Sequence, residues 1–291
     1  MLDGMIEKVL FTNVPVAGEV LRVIVAFIGV LVASYYDLFN KKNVPDKILY
    51  SFLGIAILLN IVFYLMQPDF DVLLFTFGAA LFISVIGYIF YRFGQIGGAD
   101  VIVITSVMLL IPFVPSFAGL SFNLPFIIPA MIYGGLLLTV YVTIKFALKI
   151  ISQGGTPNLL YLLLLLPFLF FIYVYINSPV FSLTYLFIIS VLLLASIFFM
   201  VYKQDIILML AEQLPLEKVE PEDVFALELI EPAIIKQYNI KRLATVSEIQ
   251  RLKEAGLQTI WVYTDLPPFI PFLLVGMVLA LFFSKNLLFG F

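Results

Sequence analysis

Long apolar runs dominate this chain, and they repeat too often and run too long for a soluble core. A membrane-crossing helix needs about 20 mostly apolar residues. Eight stretches meet that measure, at 20–37, 48–66, 72–91, 100–118, 125–149, 158–177, 180–202 and 267–289. The pattern changes over 203–266, which holds 11 of the 19 acidic and seven of the 16 basic residues. Within it, 223–229 alternates loosely like a strand, and 245–255 reads as an amphipathic helix with Ile249 and Leu252 inward and Gly256 as its stop. A second strand is expected at 259–263. The fold class predicted is an α-helical polytopic membrane protein of about eight transmembrane helices with a small α+β cytoplasmic module. Its divisions are a transmembrane catalytic domain at 1–202, the module at 203–266 and a C-terminal transmembrane helix at 267–291. A module of about 60 residues is small enough to need support from the membrane part.

Residues 1–19 do not read as a cleaved secretory signal, because Asp3 and Glu7 replace the basic start and Pro15 interrupts the apolar run. They are expected to stay attached, either as an interfacial helix with Ile6, Val9, Leu10 and Phe11 on one stripe or as an irregular lead-in. Orientation follows the basic residues. If eight helices alternate, Lys41, Lys42, Lys47, Arg92, Lys145, Lys149 and Lys203 share one side, and Lys8, Arg22 and Lys285 share the other. The first side is therefore assigned to the cytoplasm.

Composition narrows the chemistry. The chain is 63% hydrophobic and 12% charged, with a mean hydropathy of +1.13. Its net charge of -3 and dispersed basic residues give no reason to expect nucleic-acid binding. It contains no cysteine and no histidine, which removes disulfides, thiolate nucleophiles, Ser-His-Asp triads and the common zinc sites. No cofactor and no metal are expected. Acid-base work at neutral pH falls to Asp, Glu, Lys or Tyr.

Two carboxylates stand out. Between residues 20 and 203 the only acids are Asp37, Asp46, Asp69, Asp71 and Asp100, and all but Asp37 and Asp100 fall in short connections. Ionisable groups at membrane depth are expensive and tend to mark function. Helix one ends on the side where helix four begins, so Asp37 and Asp100 are expected at one membrane face, the cytoplasmic one. Two carboxyl groups that hold a water between them can hydrolyse a peptide bond, one ionised to take a proton from the water and one protonated to donate to the carbonyl oxygen. Either residue can take either role. Gly97 and Gly98, just before Asp100, offer a backbone that tolerates positive φ and lets a substrate strand approach. The plain alternatives are that Gly94, Gly97 and Gly98 form a turn with Asp100 as the N-cap of helix four, and that Asp37 is a helix-end residue beside Lys41 and Lys42.

These segments resemble the archaeal type IV prepilin and preflagellin peptidases, within the GxGD class of membrane aspartic proteases. Ser34, Tyr35, Tyr36, Asp37 followed by Asn43, Val44, Pro45, Asp46 resembles the first-aspartate segment. Gly97, Gly98, Ala99, Asp100, Val101 resembles the second, with Ala99 where the pattern has its second glycine. The stretch Asp265, Leu266, Pro267, Pro268, Phe269, Ile270, Pro271 is similar to the segment ending archaeal members. The resemblance implies that Asp37 and Asp100 are a catalytic pair that removes basic class III leader peptides from pilin-like or archaellin precursors. It also implies partners limited to such precursors and membrane lipid. The bacterial branch methylates the new N-terminus through a cysteine-containing module; without cysteine or a glycine-rich nucleotide site, peptidase activity without methyl transfer is expected. Helices 158–177 and 180–202 add to the usual six.

Two other functions compete. A presenilin-like intramembrane protease is suggested by Tyr36 before Asp37, although no Pro-Ala-Leu element stands in a late helix. A proton-coupled transporter would use two titrating carboxylates, although neither inverted repeats nor broken helices are visible. Of the remaining residues, Gly134, Gly135, Pro112 and Pro167 read as packing and kink positions. Lys41, Lys42 and Lys47 read as topology determinants. Glu217, Glu220, Glu222 and Asp223, with Asp46, read either as a solvated surface or as an attraction for a basic leader. Trp261 reads as part of the module core.

Overall fold

The computed structural model describes residues 16–40, 43–118, 124–179 and 181–289, with side chains as far as Lys285. The expected lead-in helix and Lys41 and Lys42 lie outside the described residues. The chain is mostly helical. Helices α1 (Glu19–Phe39), α2 (Asp46–Met66), α3 (Phe70–Arg92), α4 (Gly98–Leu110) and α5 (Ile127–Gln153) come first. A 3-10 segment (Leu159–Leu164) then runs into α6 (Leu165–Ile176), and α7 (Leu183–Val201) and α8 (Lys203–Leu210) follow. Strand β1 (Ala211–Pro215), α9 (Pro232–Tyr238), α10 (Val246–Glu254), β2 (Thr259–Tyr263) and α11 (Ile270–Phe289) complete the order.

Among the described residues, six segments are long and apolar enough to cross a membrane: α1, α2, α3, α5, Leu159–Ile176 and α7. Two apolar helices are shorter, α4 and the Ile270–Lys285 part of α11. Large apolar side chains such as Leu65, Phe39 and Phe82 stand outward, which suits a lipid surround. The chain is a multi-pass membrane protein.

Helix α4 is the hub of the first bundle. Every residue from Val103 to Leu110 is buried, and its neighbours are α1, α2 and α3. The expected span at 100–118 is corrected here: α4 stops at Leu110, and only a 3-10 turn at Ser116–Ala118 follows. Pro112 lacks the N–H that would continue the ladder and disfavours helical geometry at Ile111, so it ends the helix rather than kinking it. The chain beyond stays in the core, with Ile111, Phe113 and Val114 buried. Pro167 sits in the first turn of α6, where its missing N–H has no intrahelical acceptor to lose.

The late helix α11 packs on α5 with almost no gap. A Cβ at Gly134 would stand 2.9 Å from the Phe272 carbonyl oxygen, and one at Gly276 would collide with the Ala130 carbonyl and the Gly134 backbone. Gly135 faces open space, so the packing role falls on Gly134 and Gly276.

The water-facing part has its own core of Leu216, Val219, Phe225, Ile240, Ala244, Ile249, Leu252, Ile260 and Val262. Its two-stranded antiparallel sheet pairs Ala211 with Tyr263 and Pro215 with Thr259. The strand expected at 223–229 is therefore displaced to 211–215. Residues 224–226 do run beside β2, through a bridge between Phe225 and Val262, while Val224 bridges Leu243, but the chain closes into a 3-10 turn at Leu227–Leu229. Its alternation marked burial of Phe225 and not a full ladder. Helix α10 forms as its signals suggest: Thr245 Oγ1 accepts from the Glu248 amide, Ile249 and Leu252 are buried, and Gly256 follows at φ +80°. Trp261, expected in this core, is half-buried and alternates on β2 with the core residues Ile260 and Val262, so it stands on the other face of the strand.

Candidate active site

Asp37 ends the buried stripe of α1, after Val30, Ala33 and Ser34, and is 7% exposed. Its Oδ2 accepts a hydrogen bond from the Ile270 amide at 3.2 Å, at the first residue of α11. Helix N-termini present unpaired N–H groups, which makes them natural partners for a carboxylate. The approach of that amide is fixed just upstream. Asp265 accepts from Lys145 Nζ at 2.8 Å and Lys149 Nζ at 3.3 Å, so the segment between β2 and α11 is tied to α5 before it reaches Asp37. Burial alone would raise the Asp265 carboxyl, but the two lysines outweigh it and hold it below its ordinary value.

Asp100 arrives on α4 and is half-buried. Helix α3 closes with a Schellman turn: the Gly94 amide donates to the Tyr91 carbonyl and the Gln95 amide to the Phe90 carbonyl, with Gly94 at φ +65°. The left-handed backbone anticipated at Gly97 and Gly98 is thus at Gly94, while Gly97 is extended at φ -73° and Gly98 begins α4. Asp100 is also not the N-cap. Gly97 holds that position, and Asp100, three residues on, accepts the Gly97 amide on Oδ2 at 3.0 Å. The glycines instead leave room. A Cβ at Gly97 would stand 3.2 Å from that same oxygen, and one at Gly98 3.4 Å from the Tyr91 ring and 3.5 Å from Glu222 Oε2.

Helices α1 and α4 pack side by side. At the opposite ends of the same helices, Arg22 Nη1 donates to Asn60 Oδ1 at 2.9 Å and reaches the Leu109 carbonyl, while Glu19 accepts the Ser116 amide and hydroxyl. The helices therefore run antiparallel, with both acids at one end of the bundle.

The water-facing part leans on this end. Tyr91 donates to Glu222 Oε1 at 3.0 Å, and Val224 and Arg242 lie against the Gly94 turn. Of the four acids singled out in 217–223, Glu222 reaches the loop before Asp100. It does so from a backbone at φ 77°, uncommon for a residue with a Cβ. Asp223 instead turns inward to accept the Glu220 amide, and burial raises its carboxyl. Asp46 lies in the first turn of α2, where a carboxylate suits the helix start.

Sequence reasoning placed both aspartates at one end of the bundle, as the antiparallel helices have them. It missed the Ile270 amide, which is 233 positions from Asp37, and the Tyr91–Glu222 contact, 131 positions apart. Nothing local in the sequence signals either. Among the described residues, no group of three or more His, Cys, Asp or Glu is arranged to hold a metal ion. A cleft of about 460 Å³ lined by Lys149, Gln153, Gly154, Asp205, Leu208 and Met209 includes neither aspartate.

No protein-family profile matches the chain, and no solved structure matches it. Over 106 residues it is 34% identical to the protein named Prepilin peptidase EppA of Methanothermobacter thermautotrophicus (strain Delta H), a stretch that makes up 36% of this chain. The chain is thus matched to 27% of the length of that curated relative.

Proposed function

We propose that the chain is a membrane aspartyl endopeptidase that removes the leader peptide from pilin-like precursors, with Asp37 and Asp100 as its catalytic pair. The observation that carries this reading is the arrival of two carboxylates from separate, antiparallel helices at one end of the bundle. The similarity to a protein named for prepilin cleavage supports it from a second direction.

The chemistry follows from the pair. Like charges this close do not both ionise cheaply, so the two carboxyls share one proton. The ionised member takes a proton from a water as its oxygen attacks the scissile carbonyl, and the protonated member donates to the carbonyl oxygen. Collapse of the resulting diol passes a proton to the leaving amine and restores the shared state. In this reading the Gly97–Gly98 step is where an extended substrate approaches the backbone beside Asp100. We read the two shorter apolar helices as crossings as well, which makes eight, and the basic connections place the site at the cytoplasmic face. In this reading residues 1–202 form the catalytic membrane domain, 203–266 a cytoplasmic module and 267–291 the last crossing. The substrates are leader-bearing precursors of the archaellin or pilin class, and no methyl transfer follows cleavage.

The test uses the full chain in lipid vesicles with a leader-bearing pilin precursor. Wild-type protein is expected to release the leader, and Asp37→Asn and Asp100→Asn are each expected to lose that activity while staying folded. Normal cleavage by either folded variant overturns the reading. Proton-driven uptake into the vesicles with no cleavage would favour a transporter instead.

A further inference from the structure

A third group belongs to the site. Hydroxyls inside an apolar helix bundle usually satisfy themselves by donating to the carbonyl four residues back. In this molecule Thr76, Ser84, Thr105, Ser106, Thr139, Thr143, Ser196 and Ser284 all do so. Ser34 does not. It is 4% exposed, and its Oγ has no hydrogen-bond partner among the described residues. A buried polar group left unsatisfied is costly, so such a group calls for a specific explanation.

Its place supplies one. Ser34 stands three residues before Asp37 on the buried stripe of α1. Side chains three apart share a helix face, with about 5–6 Å between their Cβ atoms. Side chains also lean toward the helix N-terminus, so the Asp37 carboxylate tilts back over the turn that carries Ser34. One Asp37 oxygen is engaged by the Ile270 amide, and one Asp100 oxygen by the Gly97 amide.

We propose that the Ser34 hydroxyl is the third contact of the attacking water, which it holds together with Asp37 and Asp100. A buried water needs two to four polar partners, and these three groups meet that number. In the attack, one water proton passes to the ionised carboxyl while the new C–O bond forms. The other proton stays on the water oxygen and points to Ser34 Oγ, which fixes the lone pair toward the carbonyl carbon. Ser34 gains and loses no proton over the cycle. This inference rests on the peptidase reading above.

The experiment measures leader release by the full chain in vesicles for Ser34→Ala, Ser34→Thr and Ser34→Cys, beside Asp37→Asn. Ser34→Ala is expected to lower kcat at least about tenfold with KM unchanged, because one hydrogen bond to the water is lost. Its thermal stability is expected to equal or exceed wild type, since an unpaired hydroxyl is removed. Ser34→Thr, which keeps the hydroxyl, is expected to recover most of the rate. Wild-type kcat in Ser34→Ala, or equal slowing in folded Ser34→Ala and Ser34→Thr, overturns the inference. If Ser34→Ala does not fold, a folded Ser34→Cys with the wild-type rate overturns it instead. Loss of activity in Asp37→Asn beside an unaffected Ser34→Ala means that only the role of Ser34 fails. Normal cleavage in Asp37→Asn means that the peptidase reading itself fails.

Discussion

The antiparallel helices α1 and α4 carry a polar cluster at each end, and the two clusters are built on opposite rules. At one end Arg22 donates to Asn60, to the Leu109 carbonyl and, through Nε, to the Ala17 carbonyl, and its guanidinium also lies over the Phe63 ring. Asn60 in turn donates to the carbonyls of Ala56 and Leu109. Opposed donors and acceptors meet there, and the Leu109 carbonyl at the broken end of α4 is satisfied. At the other end are two groups of the same charge sign, one with a backbone amide from α11 and one with an amide from its own turn. A cluster whose parts match each other holds helices together. A cluster whose parts repel is costly to keep and marks a site poised to act on something else.

The largest effects should separate the two ends. Asp37→Asn and Asp100→Asn are expected to lower leader release by about 10²–10⁴-fold, the usual scale for a lost acid or base. Their melting temperatures, followed by tryptophan fluorescence of Trp261, are expected to stay near wild type. Asn60→Leu should do the reverse: Arg22 and the Leu109 carbonyl each lose a buried partner, and stability falls by about 1–3 kcal/mol in a denaturant titration. Residual cleavage should scale with the folded fraction. A stable Asn60→Leu protein without activity would place chemistry at the wrong end.

Next comes the placement of α11, on which the Asp37 partner depends. Gly276→Val inserts a side chain against the Ala130 carbonyl and the Gly134 backbone, and an overpacked contact of this kind costs about 1–3 kcal/mol. Because the helix carrying the Ile270 amide must shift, activity is expected to fall further than the loss of folded protein accounts for. Cleavage that tracks the folded fraction would show that the α11 contact does not matter to the acids.

The smallest effect is expected at Asp265, which fixes the approach to α11 from water. Its carboxyl is held below its ordinary value by Lys145 and Lys149, so its contribution is present above the unfolded value and is lost as pH falls through the folded one. The pair is exposed and contributes at most about 1 kcal/mol. Asp265→Asn should therefore lower the melting temperature slightly at pH 7, and the difference from wild type should shrink as pH falls below the ordinary carboxylate range. A difference that persists there would assign the effect to packing.

Much of this contrast was legible in the sequence, for a physical reason. A bilayer forces long apolar runs, so the positions of the helices and the two acids among them could be read directly. Crossing parity then put Asp37 and Asp100 at one end without any contact being known. Local rules also worked where the signal was local, as at Thr245 and Gly256. They failed where the decisive partner was distant or the signal had two meanings. Pro112 read as a kink and proved to be a stop, and residues 223–229 alternated without forming a ladder because, after one bridge to β2, the chain closes into the 3-10 turn at Leu227–Leu229. Arg22 read only as a topology charge, although it is a buried joint of three helices. The plain alternative for Asp100, an N-cap after the glycines, gives way to a position three residues into the cap motif, from which its carboxylate reaches back to Gly97.

The central claim is that Asp37 and Asp100 work as one unit with a single shared proton. The pH dependence of kcat/KM for leader release by the full chain in vesicles tests it most directly. One carboxyl must be ionised and the other protonated, so the expected profile is bell-shaped, with activity lost on both the acid and the alkaline side. A profile that rises to a plateau and never falls, in protein that stays folded across the range, would contradict a shared-proton pair.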